Sequence, residues 1–313
     1  LENFLKNLRT AIGGASREHC RKGSTALKLW HINGLHESFS ERQIAFTFHE
    51  TDSITDLERH ILKGQDAVLV TSKYTQGVFE EGGLDNVHYA PLGMDNWSFY
   101  ENPQPLPEEG VITFALNGKL ERRKHTLKIL KAWAEEFGDN KAYRLNCAIF
   151  NPHMAPEHQS ALVAQAMENK RYFNINFLPR QNANEVYNSI LNSMDIDLTG
   201  MSGCEGFNLP LYQALAIGKH AVVLDAHVHK DFCNEENSVL VSPSGKIPAV
   251  DGIFFHDGGD FNQGSWYDFH NDSLKEGMYA AIERFKSSPR NEKGTELAGI
   301  GYSQLHEKIQ ELV

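Results

Sequence analysis

The chain has 313 residues, 41% of them apolar and 23% charged, and a net charge of −11. That length suits two domains with sizeable cores, and the composition is that of an ordinary globular protein. The acidic balance argues against a general binder of nucleic-acid backbone and against a strong hold on anionic lipid, and no apolar run approaches the ~18 residues of a membrane span.

The chain opens Leu-Glu-Asn-Phe, without a signal-peptide pattern. Cys20, Cys147, Cys204 and Cys233 are scattered without metal-ligand spacing. Reduced cysteines and a cytoplasmic protein are expected. Arg17, Arg21 and Lys22 form one small basic cluster, which a solvated helix face explains. Strands are predicted at Leu27–Ile32, Ile44–Phe48, Ala67–Thr71 and Val87–Ala90, with helical segments between several of them. Tyr100 to Gly110 carries three prolines in a polar run and reads as a stiff connector.

Beyond it the pattern is regular. Val111–Leu116 is a buried strand, His125–Phe137 a helix, Tyr143–Phe150 a strand, and Pro156–Glu168 a helix opened by proline. Phe173–Leu178, Met194–Thr199, Ala221–Leu224 and Val239–Val241 read as strands, Asn184–Leu191 and Asp272–Phe285 as helices, the last capped by Asp272 or Asn271. Strand–helix alternation predicts an α/β fold of two Rossmann-like, doubly wound lobes with parallel sheets and a cleft between them. The predicted boundaries are 1–105 for the N-terminal lobe, 106–290 for the C-terminal lobe, and 291–313 for a helical tail returning toward the first lobe. At about 100 residues the first lobe is expected to be short or truncated.

Three segments carry candidate chemistry. Glu205-Gly206-Phe207-Asn208-Leu209-Pro210 leads an acid and flexible positions into a short apolar helix closed by Gly218. Proline fits the first turn and glycine the left-handed residue past the end. The loop therefore delivers Glu205 and backbone N–H groups to a helix N-terminus, a place for phosphate, with Gln213 one turn inside. A well-capped structural helix is the alternative. Gly118-Lys119-Leu120-Glu121-Arg122-Arg123-Lys124 places four cations at a strand's carboxyl end, suited to a diphosphate or to an exposed basic turn. Phe48-His49-Glu50-Thr51-Asp52 ends a strand, and His49 is a candidate base or sugar contact or else a structural histidine. His31 and His36 are weaker candidates. Asp195-Ile196-Asp197 has the spacing of a metal-binding acid pair, yet its strand leads into the sheet, so capping roles and no metal are expected.

These residues resemble the nucleotide-sugar glycosyltransferases of the GT-B fold, family 4. The stretch E-G-F-N-L-P-L-Y-Q-A-L-A-I-G at 205–218 is similar to that family's acid-Gly-Phe-Gly-Leu-Pro signature, and Gly118–His125 resembles its upstream basic loop. Val68–Ser72, Val87–Asp95 and Ser265–Asp268 add similarity, which covers about residues 27–290. The resemblance implies a donor held mainly by the second lobe, transfer with retention, and no cofactor or metal. It implies catalytic roles for His49 and Glu205. It implies donor contacts from Gly118, Lys119, Arg123, Lys124, Leu178, Arg180, Gly206, Phe207, Asn208, Leu209 and Gln213. Gly13 and Gly14 resemble the family's acceptor-side glycine loop.

Three positions depart from the pattern. Gln213 stands where the family has a ribose-binding glutamate, Asn208 where it has glycine, and Lys119 where it has arginine. Losing the carboxylate at 213 would cost ~1–2 kcal/mol of donor binding. The leading expectation is transfer of a sugar from a UDP- or GDP-linked donor to a glycan, lipid-linked or small-molecule acceptor. A non-catalytic sugar-nucleotide or glycan-binding module is the second reading. A two-lobed solute-binding protein is the third, disfavoured by the basic loop.

Overall fold

The computed structural model of the protein describes residues 23–37, 40–102 and 110–312. Gly13, Gly14, Arg17, Cys20, Arg21 and Lys22 lie outside the described residues.

One sheet holds β1 (Thr25–Leu29), β2 (Arg42–Thr47), β3 (Ala67–Val70) and β4 (Val87–Tyr89), all parallel and in that order. Helices α1 (Asp56–Lys63) and α2 (Lys73–Glu81) are the crossovers from β2 to β3 and from β3 to β4. Thr55 and Glu58 form a reciprocal capping box at α1, and the Ser72 hydroxyl caps α2. The central strands are apolar without alternation because both faces are covered. Ala45, Val68 and Val70 pack under Leu62 and Phe79, whereas Ile44, Phe46 and Leu69 face the second lobe.

The larger sheet has the order β10-β9-β8-β5-β6-β7, with every pair parallel. Its strands are β5 (Ile112–Gly118), β6 (Tyr143–Ile149), β7 (Ile175–Phe177), β8 (Ile196–Asp197), β9 (His220–Leu224) and β10 (Val239–Val241). Between and after them run α3 (Thr126–Phe137), α4 (Pro156–Ala166), α5 (Asn184–Asn192), α6 (Leu209–Ala216) and α7 (Asn271–Ser287). Helix α3 buries Ile129, Leu130, Trp133 and Phe137 at helical spacing. The chain winds outward from β5 through β6 to β7, then returns to β8. That reversal makes a switch point at the carboxyl ends of β5 and β8, where such sheets bind ligands.

Two details differ from expectation. Helix α7 starts at Asn271 with His270 as N-cap and no side-chain cap bond, so neither Asp272 nor Asn271 is the cap. An antiparallel pair, β11 (Gly245–Pro248) and β12 (Ser265–Asp268), was not expected. Gly245 and Pro248 at its ends, and a glycine-rich loop between its strands, mask the period-two pattern.

The two lobes are in apolar contact where a cleft was expected. One apolar cluster joins Ile44, Phe46 and Leu69 to Phe207, Leu211 and Tyr212 of the second lobe. Near the end of the chain, α8 (Glu292–Thr295) and α9 (Ser303–Leu312) flank a segment that meets the first lobe's last connection. Met94 N donates to Ile300 O at 2.7 Å and Asn96 Nδ2 to Ala298 O at 3.1 Å. Gly93 lies directly against the Gly301 carbonyl group, so a Cβ at position 93 would overlap backbone. Gly93→Val is therefore expected to cost about 1–3 kcal/mol in urea denaturation, and to raise the rate of proteolysis within 296–312.

Candidate active site

Helix α6 begins at Leu209, with Pro210 in its first turn and Asn208 as N-cap. Asn208 sits at φ 69°, ψ 60°, in the left-handed region that glycine and asparagine tolerate best. Its Oδ1 accepts from Leu211 N at 3.4 Å, and its Nδ2 donates to Thr199 O at 3.3 Å and His229 Nε2 at 2.9 Å. His229 Nδ1 in turn donates to Leu224 O at 3.0 Å, which leaves Nε2 as an acceptor. Burial pushes the pKa of His229 down to about 4, so the ring is neutral. Gly218, at φ 83°, closes the helix: Gly218 N donates to Leu215 O and Lys219 N to Ala214 O, both at 2.9 Å.

Glu205 is 5% exposed and accepts three side chains. Arg123 reaches it at 2.8 Å, Ser202 Oγ donates at 2.8 Å, and Lys124 Nζ bonds the same oxygen as the serine. Burial opposes the charged form, but the Arg123 and Lys124 charges outweigh it and hold the carboxyl well below the usual range. Arg123 is equally buried and also pairs with Glu50 at 2.9 Å and Glu121 at 3.0 Å. Burial would lower its pKa; the three carboxylates overcome that and keep it protonated. Glu50 belongs to the first lobe, so this ion cluster spans both. Thr71 Oγ1 donates to Gly206 O at 2.6 Å, and a Cβ on Gly206 would come within 2.8 Å of Phe48 Cβ. Gly206 thus packs directly against the first lobe, with no room for a side chain.

Beside this cluster a cavity of about 410 Å³ opens at the switch point. Gly118, Lys119, Leu178, Arg180 and Pro210 are among its walls. Gly118 has φ 121°, and the Lys124 side chain lies against it. Lys119 is half exposed and 3.6 Å from Glu121. Asn117, at the end of β5, is buried with both side-chain polar atoms unpartnered among the described residues. That is a costly arrangement unless water or a ligand pairs them. Gln213 is buried on α6, and its amide has no hydrogen-bond partner among the described residues.

No protein-family model matches the chain, and no curated protein is significantly similar in sequence. Solved structures do match. Sucrose-phosphate synthase from Thermosynechococcus elongatus superposes over 100% of this chain and 77% of its own, with TM-score 0.67 and 15% identity. HepE of Anabaena, in complex with UDP and glucose, covers 86% of this chain and 71% of its own, with TM-score 0.63 and 13% identity. TarM covers 87% of this chain and 50% of its own, with TM-score 0.60 and 11% identity. The chain shares the GT-B fold.

Within that fold, several anticipated residues do not stand where the sequence put them. His49 is turned into the first lobe: its Nε2 is 2.8 Å from Ser53 O and 2.9 Å from Thr51 Oγ1, and its ring packs edge-on against Phe79. It is buried in the interior of its own lobe. Arg123 is enclosed by carboxylates and presents no free face to a donor phosphate. The Phe207 ring lies in the core shared by the lobes, against Tyr212 and Phe232, which leaves only its backbone for a ligand. Asp195 accepts from Thr113 N at 2.8 Å, and Asp197 from Thr199 N at 3.0 Å and Thr199 Oγ1 at 2.8 Å, so both carboxylates tie backbone together. His31 and His36 are exposed on the connection after β1.

Sequence reading missed Glu50, Glu121, Ser202 and His229. Glu50 and Glu121 lie inside the segments around His49 and Arg123, and their negative charge next to those groups was the available signal. His229 carried none, because its partner lies on another element.

Two outcomes follow from the cluster. Arg123→Met leaves three carboxylates facing one another and is expected to cost about 3–5 kcal/mol in urea denaturation. The unfolded His229 takes a proton near pH 6.5 and the native ring only near pH 4. Falling pH therefore favours the unfolded chain across that window, by up to about 3 kcal/mol. A pH series of denaturation curves is expected to be flatter for His229→Gln, while buried His227 retains part of the slope.

Proposed function

We propose that the chain is a metal-independent, retaining hexosyltransferase of family 4 that works in the cytoplasm. On this reading it moves a sugar from a UDP- or GDP-linked donor to a hydroxyl of a glycan, lipid-linked or small-molecule acceptor. One observation carries the reading. The cavity at the switch point is walled on one side by Gly118 and Lys119 and on the other by Leu178 and Arg180. The sequence nominated those two segments separately, for diphosphate and for base. The structural neighbour solved with UDP and glucose is consistent with it.

In this mechanism Lys119 and Lys124 neutralise the diphosphate, and the backbone N–H groups of the α6 loop add fixed dipoles where charge builds on the leaving group. Glu205 stays ionised, so it accepts hydrogen bonds from sugar hydroxyls and orients the ring; it is no proton donor. Lys124 exchanges its bond to Glu205 for the phosphate. Gln213 meets the ribose with one acceptor oxygen in place of a carboxylate.

The inward-facing His49 and the amide at Gln213 favour the second reading, a module that binds the nucleotide sugar without turning it over. Calorimetry with UDP- and GDP-sugars, followed by assay of nucleotide release, separates the two. Binding with release supports the transferase, and binding alone supports the module. Lys124→Ala is expected to lower donor affinity or turnover at least tenfold with little change in melting temperature. Unchanged turnover overturns the phosphate assignment.

A further inference from the structure

The second lobe has a further cavity, of about 810 Å³, besides the one beside Pro210. It lies on the other side of the basic loop, lined by Leu120–Arg122 where the smaller cavity is lined by Gly118 and Lys119. Leu127, Met154, Leu162, Ile247 and Ile253 project into it, each only partly buried. Five half-buried aliphatic side chains around one space of this size form an apolar surface large enough for a small ligand's body.

The polar groups of this cavity are divided. Lys128 is spent on Asp268 at 2.6 Å, His125 Nε2 on Tyr267 O at 2.8 Å, and Asp251 Oδ1 on three backbone N–H groups at 2.8–2.9 Å. Glu121 is held by Arg123. Asp251 and Asp268 each keep one oxygen outside these bonds, and the cation left unpaired is Arg122. Arg122 is exposed, gives one N–H to Val250 O at 2.8 Å, and has no carboxylate in ion-pair range among the described residues. His153 and His158 are exposed beside it. The first turns of α3 and α4 also line the space, and neither helix has a side-chain cap.

We propose that this cavity binds a single-chain amphipathic anion, with the apolar chain against the five aliphatic side chains and the head on Arg122. A nucleotide does not suit it, since its walls offer few free polar groups for a base or ribose. The head can be a phosphate or a carboxylate, because Arg122 recognises both. The site is separate from the one assigned to the donor, and its occupancy does not depend on sugar transfer.

The test is calorimetric titration of the full chain, below the micelle concentration, with dodecyl phosphate, dodecanoate and dodecanol. Saturable 1:1 binding of at least one anion is expected, tighter than dodecanol by at least fivefold; the two anionic arms show which head is preferred. Leu162→Trp, which fills the cavity from the surface of α4, is expected to weaken that anion at least tenfold while the circular-dichroism spectrum is unchanged. Arg122→Ala is expected to bring the anion's affinity down to that of dodecanol. UDP is expected not to compete. Absence of saturable binding, equal binding by Leu162→Trp, or competition by UDP overturns the proposal. Each readout is binding rather than turnover, so this site and the transferase reading stand or fall separately.

Discussion

The candidate site depends on one buried guanidinium. Arg123 faces Glu50 from the first lobe and Glu121 and Glu205 from the second, and it also donates to the Cys204 carbonyl. Three carboxylates so close repel one another, and the cation between them offsets that repulsion. Desolvating the group offsets most of its Coulomb attraction, so the cluster adds little net stability. Its effect is on arrangement. It fixes the side chain of Glu205, draws the loop after β5 against the start of α6, and ties the strand end at Glu50 to both.

The neighbouring contacts work in the same direction. Trp266 Nε1 donates to Glu50 O at 3.0 Å, Ser265 N to Asp52 Oδ1 at 2.6 Å, and Asn262 N to Glu58 Oε1 at 2.9 Å. The first lobe's loop at 50–58 is thus bonded along its length to the segment around β12. With Gly206 seated on Phe48, the lobes meet through polar bonds at the rim and an apolar cluster inside. The switch-point cavity lies beside this junction, and the cations in its lining are Lys119 and Arg180, not Arg123.

The two side chains Asn208 and Gln213 on α6 are held in different ways. Asparagine at 208 keeps the left-handed backbone and turns its amide into a helix cap braced by His229, so the loop holds its shape without glycine. Glutamine at 213 has no such bracing among the described residues. The residue is largely buried and its amide has no partner among the described residues, which suits a ligand group that matches one acceptor and two donors.

Much of the fold was legible in the sequence. Runs such as Val111–Leu116 and the spacing of Ile129, Leu130, Trp133 and Phe137 specify strands and helices through local burial periodicity. Pro210 and Gly218 mark the two ends of α6 because their backbone preferences are intrinsic. The loop 118–124 and the segment 205–209 were legible for the same reason, as glycine, cations and an acid next to one another in the chain. What the sequence did not determine is which charges meet. Arg123 looked like a phosphate ligand and His49 like a cleft residue because each lies in the right segment. Whether a side chain turns outward or inward is set by groups far away in sequence: Glu50 and Glu205 for the arginine, and the Thr51–Ser53 turn with Phe79 for the histidine. Local pattern fixes backbone and periodicity; pairing and burial of charges are long-range electrostatics, and only the tertiary structure decided them.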